Sequence, residues 1–234
     1  MVSIPSYCSP RAFEHFVKQI DRLETTDGLL HAAIAISMHE LDDIDPNLVD
    51  DQLTRWADEV RNRVRGPQPQ ALLAHLHDYL FEELGFIGNK GSYYDTRNSY
   101  IPAMLESRSG IPISMSLLYK VVAERAGLQV QGINVRWHFL ASVNCGDENA
   151  IVDAFHGGSV LTPNEARERI ERISGQKLPD DRDFLPVATH HMWIARMLNN
   201  LQLIFINEGR LDDHNAMVEL VKALGKPQSP NHVD

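Results

Sequence analysis

Cysteine is scarce in this chain. Cys8 and Cys145 are the only two in 234 residues, too few for a disulfide framework, and no Cys-x-x-Cys pair offers zinc ligands. A basic surplus is missing as well. The 32 acidic and 22 basic residues give a net charge of −10, which argues against a nucleic-acid or anionic-membrane surface. Long apolar runs are also absent. The longest near-apolar stretch, Leu29 to Met38, contains His31 and Ser37 and is far too short to span a bilayer. No basic segment followed by an apolar run opens the chain, so no signal peptide is expected and the cytoplasm is the expected location. What is present is an ordinary globular composition. The length suffices for one sizeable α/β or α+β domain with a small appendage.

Helical spacing dominates the first ninety residues. Ser9-Pro10 starts a helix with Pro at the first position, where its missing N–H is harmless, and Phe13, Phe16, Val17 and Ile20 recur at helical intervals. A second helix from about Asp27, a third from Pro46 and a fourth after the Gly66-Pro67-Gln68-Pro69 break complete a helical layer over 1–85. Phe86 to Asn98 is polar, glycine-bearing and aromatic and reads as an ordered loop, and Asn98-Ser99 could cap a short helix through Met104 and Leu105. Gly110-Ile111-Pro112 launches a helix with almost no polar face, which predicts burial, and Gly127 ends it as a left-handed cap. Leu128 to Val135, Trp137 to Val143 and Ala150 to Phe155 are short, β-branched or aromatic runs that predict an antiparallel meander. Thr162-Pro163-Asn164-Glu165 is a capping box opening a charged surface helix to about Ser174. A Pro- and Asp-rich loop over 175–188 and two last helices, about 189–207 and 212–224, follow. The expected divisions are a helical layer at 1–85, a core at 86–185, a helical pair at 186–225 and a tail at 226–234.

Chemistry-bearing residues concentrate between Tyr93 and Phe155. His138 and Asp153 fall on consecutive strands. A turn near Gly146 sets them opposite or one diagonal step apart on one face. In that geometry a carboxylate orients an imidazole and stabilises its protonated form; the same pair could instead be a hydrogen bond that holds the sheet. A helix N-terminus precedes them, where the dipole would lower a thiol's pKa, but it offers Pro112, Ile113 and Ser114. Ser114 could attack with His138 as base, or could simply satisfy backbone donors in the first turn. Cys145 falls on an expected hairpin tip beside Asp147 and Glu148, as a solvated thiol raised in pKa by its acidic neighbours. Gly88-Asn89-Lys90-Gly91-Ser92 lacks phosphate-loop spacing. His75 with His77, and His190 with His191, point to different helix faces. No metal and no cofactor are expected.

Several adjacent motifs carry a resemblance. Leu84-Gly85-Phe86-Ile87-Gly88-Asn89, Tyr93-Tyr94-Asp95, Asn98-Ser99-Tyr100, Arg108-Ser109-Gly110-Ile111-Pro112-Ile113, His138-Phe139-Leu140 and Asp153-Ala154-Phe155-His156-Gly157-Gly158 together resemble the SirB-type transglutaminase-like family of bacteria. The resemblance spans about 80 to 205. It implies an α+β, transglutaminase-like (papain-like) core with a buried central helix on a small antiparallel sheet, and tetratricopeptide-like character in the last two helices. The wider superfamily uses Cys, His and Asp. Counting back from Gly127 puts the cysteine position on Pro112, or on Ser114 if the register slips, with His138 and Asp153 on the other two positions. The family itself generally shows Ile-Pro-Ile-Thr there, so the missing thiol resembles a family trait. One departure is local: Arg136-Trp137 stands where the family usually has Pro-Gly, a bulkier pair that could narrow any cleft.

The expectation is a cytoplasmic transglutaminase-like protein without cysteine chemistry, regulatory or scaffolding in role. It would bind a peptide or protein partner and neither nucleic acid nor membrane. Tyr93, Tyr94, Asp95, Asn98, Pro112 and Trp137 are the expected binding residues, and Ser114, His138 and Asp153 a vestigial or alternative triad. The alternative is a hydrolase or acyltransferase in which Ser114 attacks, His138 is the general base, Asp153 orients it, and a helix-end N–H with Asn98 holds the oxyanion. A third reading holds a small ligand or peptide end, without chemistry, between Tyr93, Tyr94 and Trp137. The resemblance also implies a link to bacterial gene regulation, an indirect one because no residue pattern reads DNA. Oligomeric state is not legible.

Overall fold

The computed structural model describes residues 4–66, 68–146, 148–178 and 184–225. Asp147, the middle of the Pro- and Asp-rich loop and the expected tail lie outside them. Helix α1 (Pro10–Ile20) starts on its proline, and α2 (Thr26–Ser37) is capped by Thr25, whose side chain accepts the Gly28 N–H. Asp45 caps α3 (Pro46–Asn62), and α4 (Pro69–His77) runs on into a π-helical turn at Asp78–Glu83. The stretch expected as a loop carries a short strand β1 (Ile87–Gly88) and a 3-10 turn (Thr96–Ser99). α5 (Ile101–Ser107) follows, capped at Tyr100 rather than at Asn98-Ser99, and then β2 (Ser109–Gly110), parallel to β1. Next come α6 (Pro112–Ala126), β3 (Gln129–Val135), β4 (His138–Asn144), β5 (Asn149–Asp153), a 3-10 turn (Ala154–His156) and β6 (Ser159–Leu161). α7 (Pro163–Ser174), β7 (Val187–Ala188), α8 (His190–Asn207) and α9 (Leu211–Leu224) complete the order. Among the described residues no helix is long and apolar enough to cross a membrane.

The chain divides into two compact units, Met1–Asp42 with Thr189–Asp234, and Asp43–Ala188. These bounds differ from those expected at 85 and 185. The first two helices group with the last two, whereas α3 and α4 pack with α6. Helical periodicity marks a face to be buried but does not name the element that covers it. In the first unit α1 packs on α2 and α9, α2 on α8, and α8 on α9. Glu219 of α9 accepts the N–H groups of Ser6, Tyr7 and Cys8 at 2.8, 3.1 and 2.9 Å. Cys8 is buried there, and burial, then the Glu219 charge, push its thiol up to about 12.

The second unit is an α+β fold built around α6. Leu117, Leu118, Val121 and Val122 are buried along it, each contributing about 1.5–3 kcal/mol of transfer free energy. Gly127 closes the helix at φ +111°, a conformation that glycine alone adopts without strain. The buried Lys120 ammonium donates to Glu124 Oε1 and to the Val130 carbonyl, each at 2.6 Å, so the charge is satisfied. His77 Nε2 lies 2.9 Å from the Tyr119 hydroxyl, and burial pulls the His77 imidazole down to about 4. The antiparallel sheet has strand order β6–β5–β4–β3–β7. Ile133, Val135, Leu140 and Ile151 cluster with Ala166 and Ile170 of α7 on one face. By alternation Phe139, Ala141 and Val143 face the other way, toward α6, which packs on β3 and β4.

Candidate functional site

Strand pairing sets Ala141 opposite Val152 and Ser142 opposite Ile151. Continued by one residue, this register puts Leu140 opposite Asp153, with His138 a diagonal step away on the same face. His138 Nε2 then lies 2.9 Å from Asp153 Oδ2, both side chains being buried. Asp153 also caps the 3-10 turn that follows it: Oδ1 accepts the His156 N–H at 3.3 Å, and His156 Nδ1 reaches Oδ2 at 2.8 Å. Arg169 of α7 brings Nη1 to 3.0 Å from the same oxygen. Burial alone would raise this carboxyl's pKa. The hydrogen bonds from His138 and His156, and their charges, overcome burial and hold it well below the usual carboxylate range.

His156 and Arg169 are absent from the residues expected from sequence. The first has a readable signal, since it stands three residues after Asp153 in a turn-forming run. Arg169 sits on a helix that reads as charged surface, yet it falls between Ala166 and Ile170, the two buried positions of that helix, on the inward stripe.

The imidazoles open onto a cleft of about 510 Å³ whose walls include Pro112, Phe155, Tyr93 and Tyr94, with Trp137, Lys90 and Ile173 also lining it. Phe155 is the hinge of this aromatic surface, with its ring centroid 6.2 Å from those of Tyr93 and His138 and 5.1 Å from that of His156. Gly88 of β1 passes close behind it, where an added Cβ would meet the Phe155 ring at 2.4 Å. The β3–β4 hairpin pairs Val135 with His138, leaving Arg136 and Trp137 as its two turn residues. Trp137 sits at φ +71°, the position at which such a turn wants glycine. The residue is 56% exposed, with the Arg136 guanidinium 5.2 Å from its ring centroid.

Not all expected site residues meet at this cleft. Tyr93, Tyr94, Pro112, Trp137 and His138 do, with Asp153 behind them. Ser114 is fully buried among backbone groups. Its Oγ bonds to the Asn98 carbonyl at 2.6 Å and the Ile111 carbonyl at 3.0 Å, and accepts the Ile111 N–H at 3.1 Å. Asn98 spends its amide on the Ser92 and Tyr93 carbonyls at 2.6 and 3.2 Å, and its Oδ1 accepts from Asn89 at 3.0 Å, which shapes the loop rather than an oxyanion hole. Asp95 accepts the Arg97 N–H at 2.9 Å and caps the 3-10 turn. Cys145, expected to be solvated, is buried. Its N–H donates to the Glu148 carbonyl at 3.1 Å, and Gln70 of α4 donates to its own carbonyl at 2.6 Å.

Among the described residues, those lining the cleft include no cysteine, serine or threonine. Its chemistry is therefore an imidazole anchored on a fixed anion, beside aromatic faces. Atoms of His138, Asp153 and His156 lie within 4.8 Å of one another and could ligate a divalent ion. Doing so there would break both imidazole–carboxylate hydrogen bonds and bring the cation up against the Arg169 guanidinium.

Residues 47–199 match the transglutaminase-like superfamily. A UPF0162 protein of Xylella fastidiosa (strain 9a5c) is 35% identical over 193 residues, which cover 81% of this chain and 69% of that protein. F-box only protein 21 of Mus musculus is 43% identical over 138 residues, 56% of this chain and 21% of that protein. A UPF0162 protein of Vibrio cholerae is 35% identical over 78 residues, 33% of this chain and 29% of that protein. No solved structure matches the chain.

Proposed function

The chain belongs to the transglutaminase-like superfamily, and from that membership we propose that it is a non-catalytic member, a regulatory or scaffolding protein whose cleft grips a peptide segment of a partner protein. One observation carries this reading. The helix end that would present a nucleophile to His138 offers Pro112, while the hydroxyl of that first helical turn, Ser114 Oγ, is committed to backbone atoms of Asn98 and Ile111. Covalent catalysis needs an attacking atom within hydrogen-bond reach of its base. Proline supplies no such atom, and no N–H toward an oxyanion either. What remains is recognition. Tyr94 and Trp137 keep 72% and 56% of their surface in water at the cleft, and clustered exposed aromatics mark binding surfaces.

The SirB-type assignment, the tetratricopeptide-like character of α8 and α9 and a cytoplasmic location belong to the same proposal. The first rests on the motifs quoted above, the second on two helices joined by a short turn. A hydrolase reading would require Ser114 Oγ to leave three backbone partners, and no observation favours it.

The test is chemical. The whole chain is treated with a serine-reactive fluorophosphonate, and separately with a fluorescent amine and a glutamine-bearing acceptor peptide. Neither treatment is expected to label or join anything above a heat-denatured control. Labelling abolished by Ser114→Ala, or amine incorporation abolished by His138→Ala, overturns the reading.

A further inference from the structure

We propose that the segment this cleft takes is acidic: an aspartate or glutamate flanked by large apolar residues, its carboxylate met by Lys90 and its apolar neighbours by Trp137 and Tyr94. This rests on the peptide-binding reading above and adds the chemistry of the ligand.

Charge is the first argument. The molecule carries a net −10, yet among the described residues those lining this cleft include Lys90, His138 and His156 and no carboxylate. Asp153 lies beneath the floor and is already matched by Arg169 and two imidazoles. Lys90 is exposed and makes no ion pair among the described residues. Arg136, exposed on the turn beside Trp137, has the indole ring and, among the described residues, no carboxylate against its guanidinium. A basic segment would meet these like charges along the cleft lining, whereas an acidic one finds complementary partners there.

Strain at Trp137 is the second argument. A tryptophan held at φ +71° sits in a region that costs a bulky side chain free energy and glycine none. Burial in this chain does not repay that strain, since more than half of the residue's surface faces water. Its natural cover is a ligand, because tryptophan and tyrosine that become fully desolvated on binding are among the side chains that dominate interface energetics. Tyr94, Trp137 and Ile173 are all exposed where they line the cleft, which suits an extended segment crossing it.

The test uses a library of N-acetylated, C-amidated heptapeptides, randomised at every position. It is selected against the whole chain, a Lys90→Gln/Arg136→Gln variant and a Trp137→Gly variant. Binders to the wild type are expected to be enriched in Asp or Glu beside Phe, Tyr, Leu or Ile. Changing that acid to its amide in the best binder should weaken affinity about fivefold on the wild type and less than twofold on the Lys90→Gln/Arg136→Gln variant. The Trp137→Gly variant should lose at least tenfold. Binding should also change the intrinsic fluorescence, since Trp56 and Trp193 are buried and Trp137 is not. Binders without acidic preference, or enriched in Lys and Arg, overturn this inference and leave the peptide reading standing. Binders insensitive to Trp137→Gly place the site elsewhere and overturn it too. An acid preference that appears only in a library with free C-termini moves the carboxylate to the chain end and overturns the side-chain form. A library without binders overturns both readings.

Discussion

Asp153 is fully buried, and three side chains converge on one of its oxygens. Asp153→Asn should therefore cost about 3–5 kcal/mol, the range for breaking a buried charge cluster, because it leaves Arg169 and the imidazoles facing a neutral amide. The carboxyl is held below its unfolded value of 3.8, so its contribution is complete above that pH and declines as pH falls through the folded-state titration. Urea denaturation at several pH values should show this decline below about pH 4 in the wild type and not in the variant. Trp137→Gly should act in the opposite direction. Relief of the left-handed strain at an exposed residue should stabilise the chain by about 1 kcal/mol, raising Tm by roughly 2–4 °C, while peptide binding is lost. The His138–Asp153 pair was legible because two strands and a turn fix a diagonal by counting. For Ser114 the bond from the Ile111 N–H was legible as a first-turn hydroxyl satisfying a backbone donor, but its bond to the Asn98 carbonyl was not, since that partner lies across a whole intervening helix.

Elements were read best where a local signal ends them. Pro10, Pro46, the Thr162 capping box and Gly127 each mark a boundary that the structure keeps. β1 and β7 escaped because their pairing lies far along the chain, Ile87 with Ser109 and Val187 with Ile133, and two residues carry no alternation of their own. The contact between α4 and α6 through His77 and Tyr119 gives a pH test. The unfolded chain takes up a proton near 6.5, and folded His77 resists it until about 4. Stability should therefore fall as pH drops across that window, by about 3 kcal/mol for the full shift. His77→Gln should flatten this slope in denaturant titrations while keeping a polar partner for Tyr119. Gly88→Ala tests the strand behind the cleft. Its methyl would enter the Phe155 ring, costing about 1–3 kcal/mol as overpacking does, and displacement of that ring should weaken peptide binding even where the variant stays folded.

At the scale of the molecule, sequence reading grouped α3 and α4 with α1 and α2, although their contacts lie with α6. Amphipathic helices announce what they bury and not against what, so unit membership is a long-range property. Asp43–Ala188 is a compact unit and continuous in the chain, and should unfold in one cooperative urea transition when expressed alone. The segment 1–42 expressed alone should show little helicity by circular dichroism, because an isolated pair of short helices is marginal in water.

Because α1 and α2 end at Ser37 while their partners α8 and α9 run from His190 to Leu224, these helices emerge from the ribosome long before α8 and α9. At translation rates of about 5–20 residues per second the delay is roughly 10–40 s. Throughout it Leu29, Leu30, Ile34 and Ile36, all enclosed in the finished protein, have α1 beside their helix but not α8. The α1–α2 stretch of the nascent chain is thus one that a ribosome-associated chaperone would have to shield, and its release would be timed by synthesis of α8 and α9.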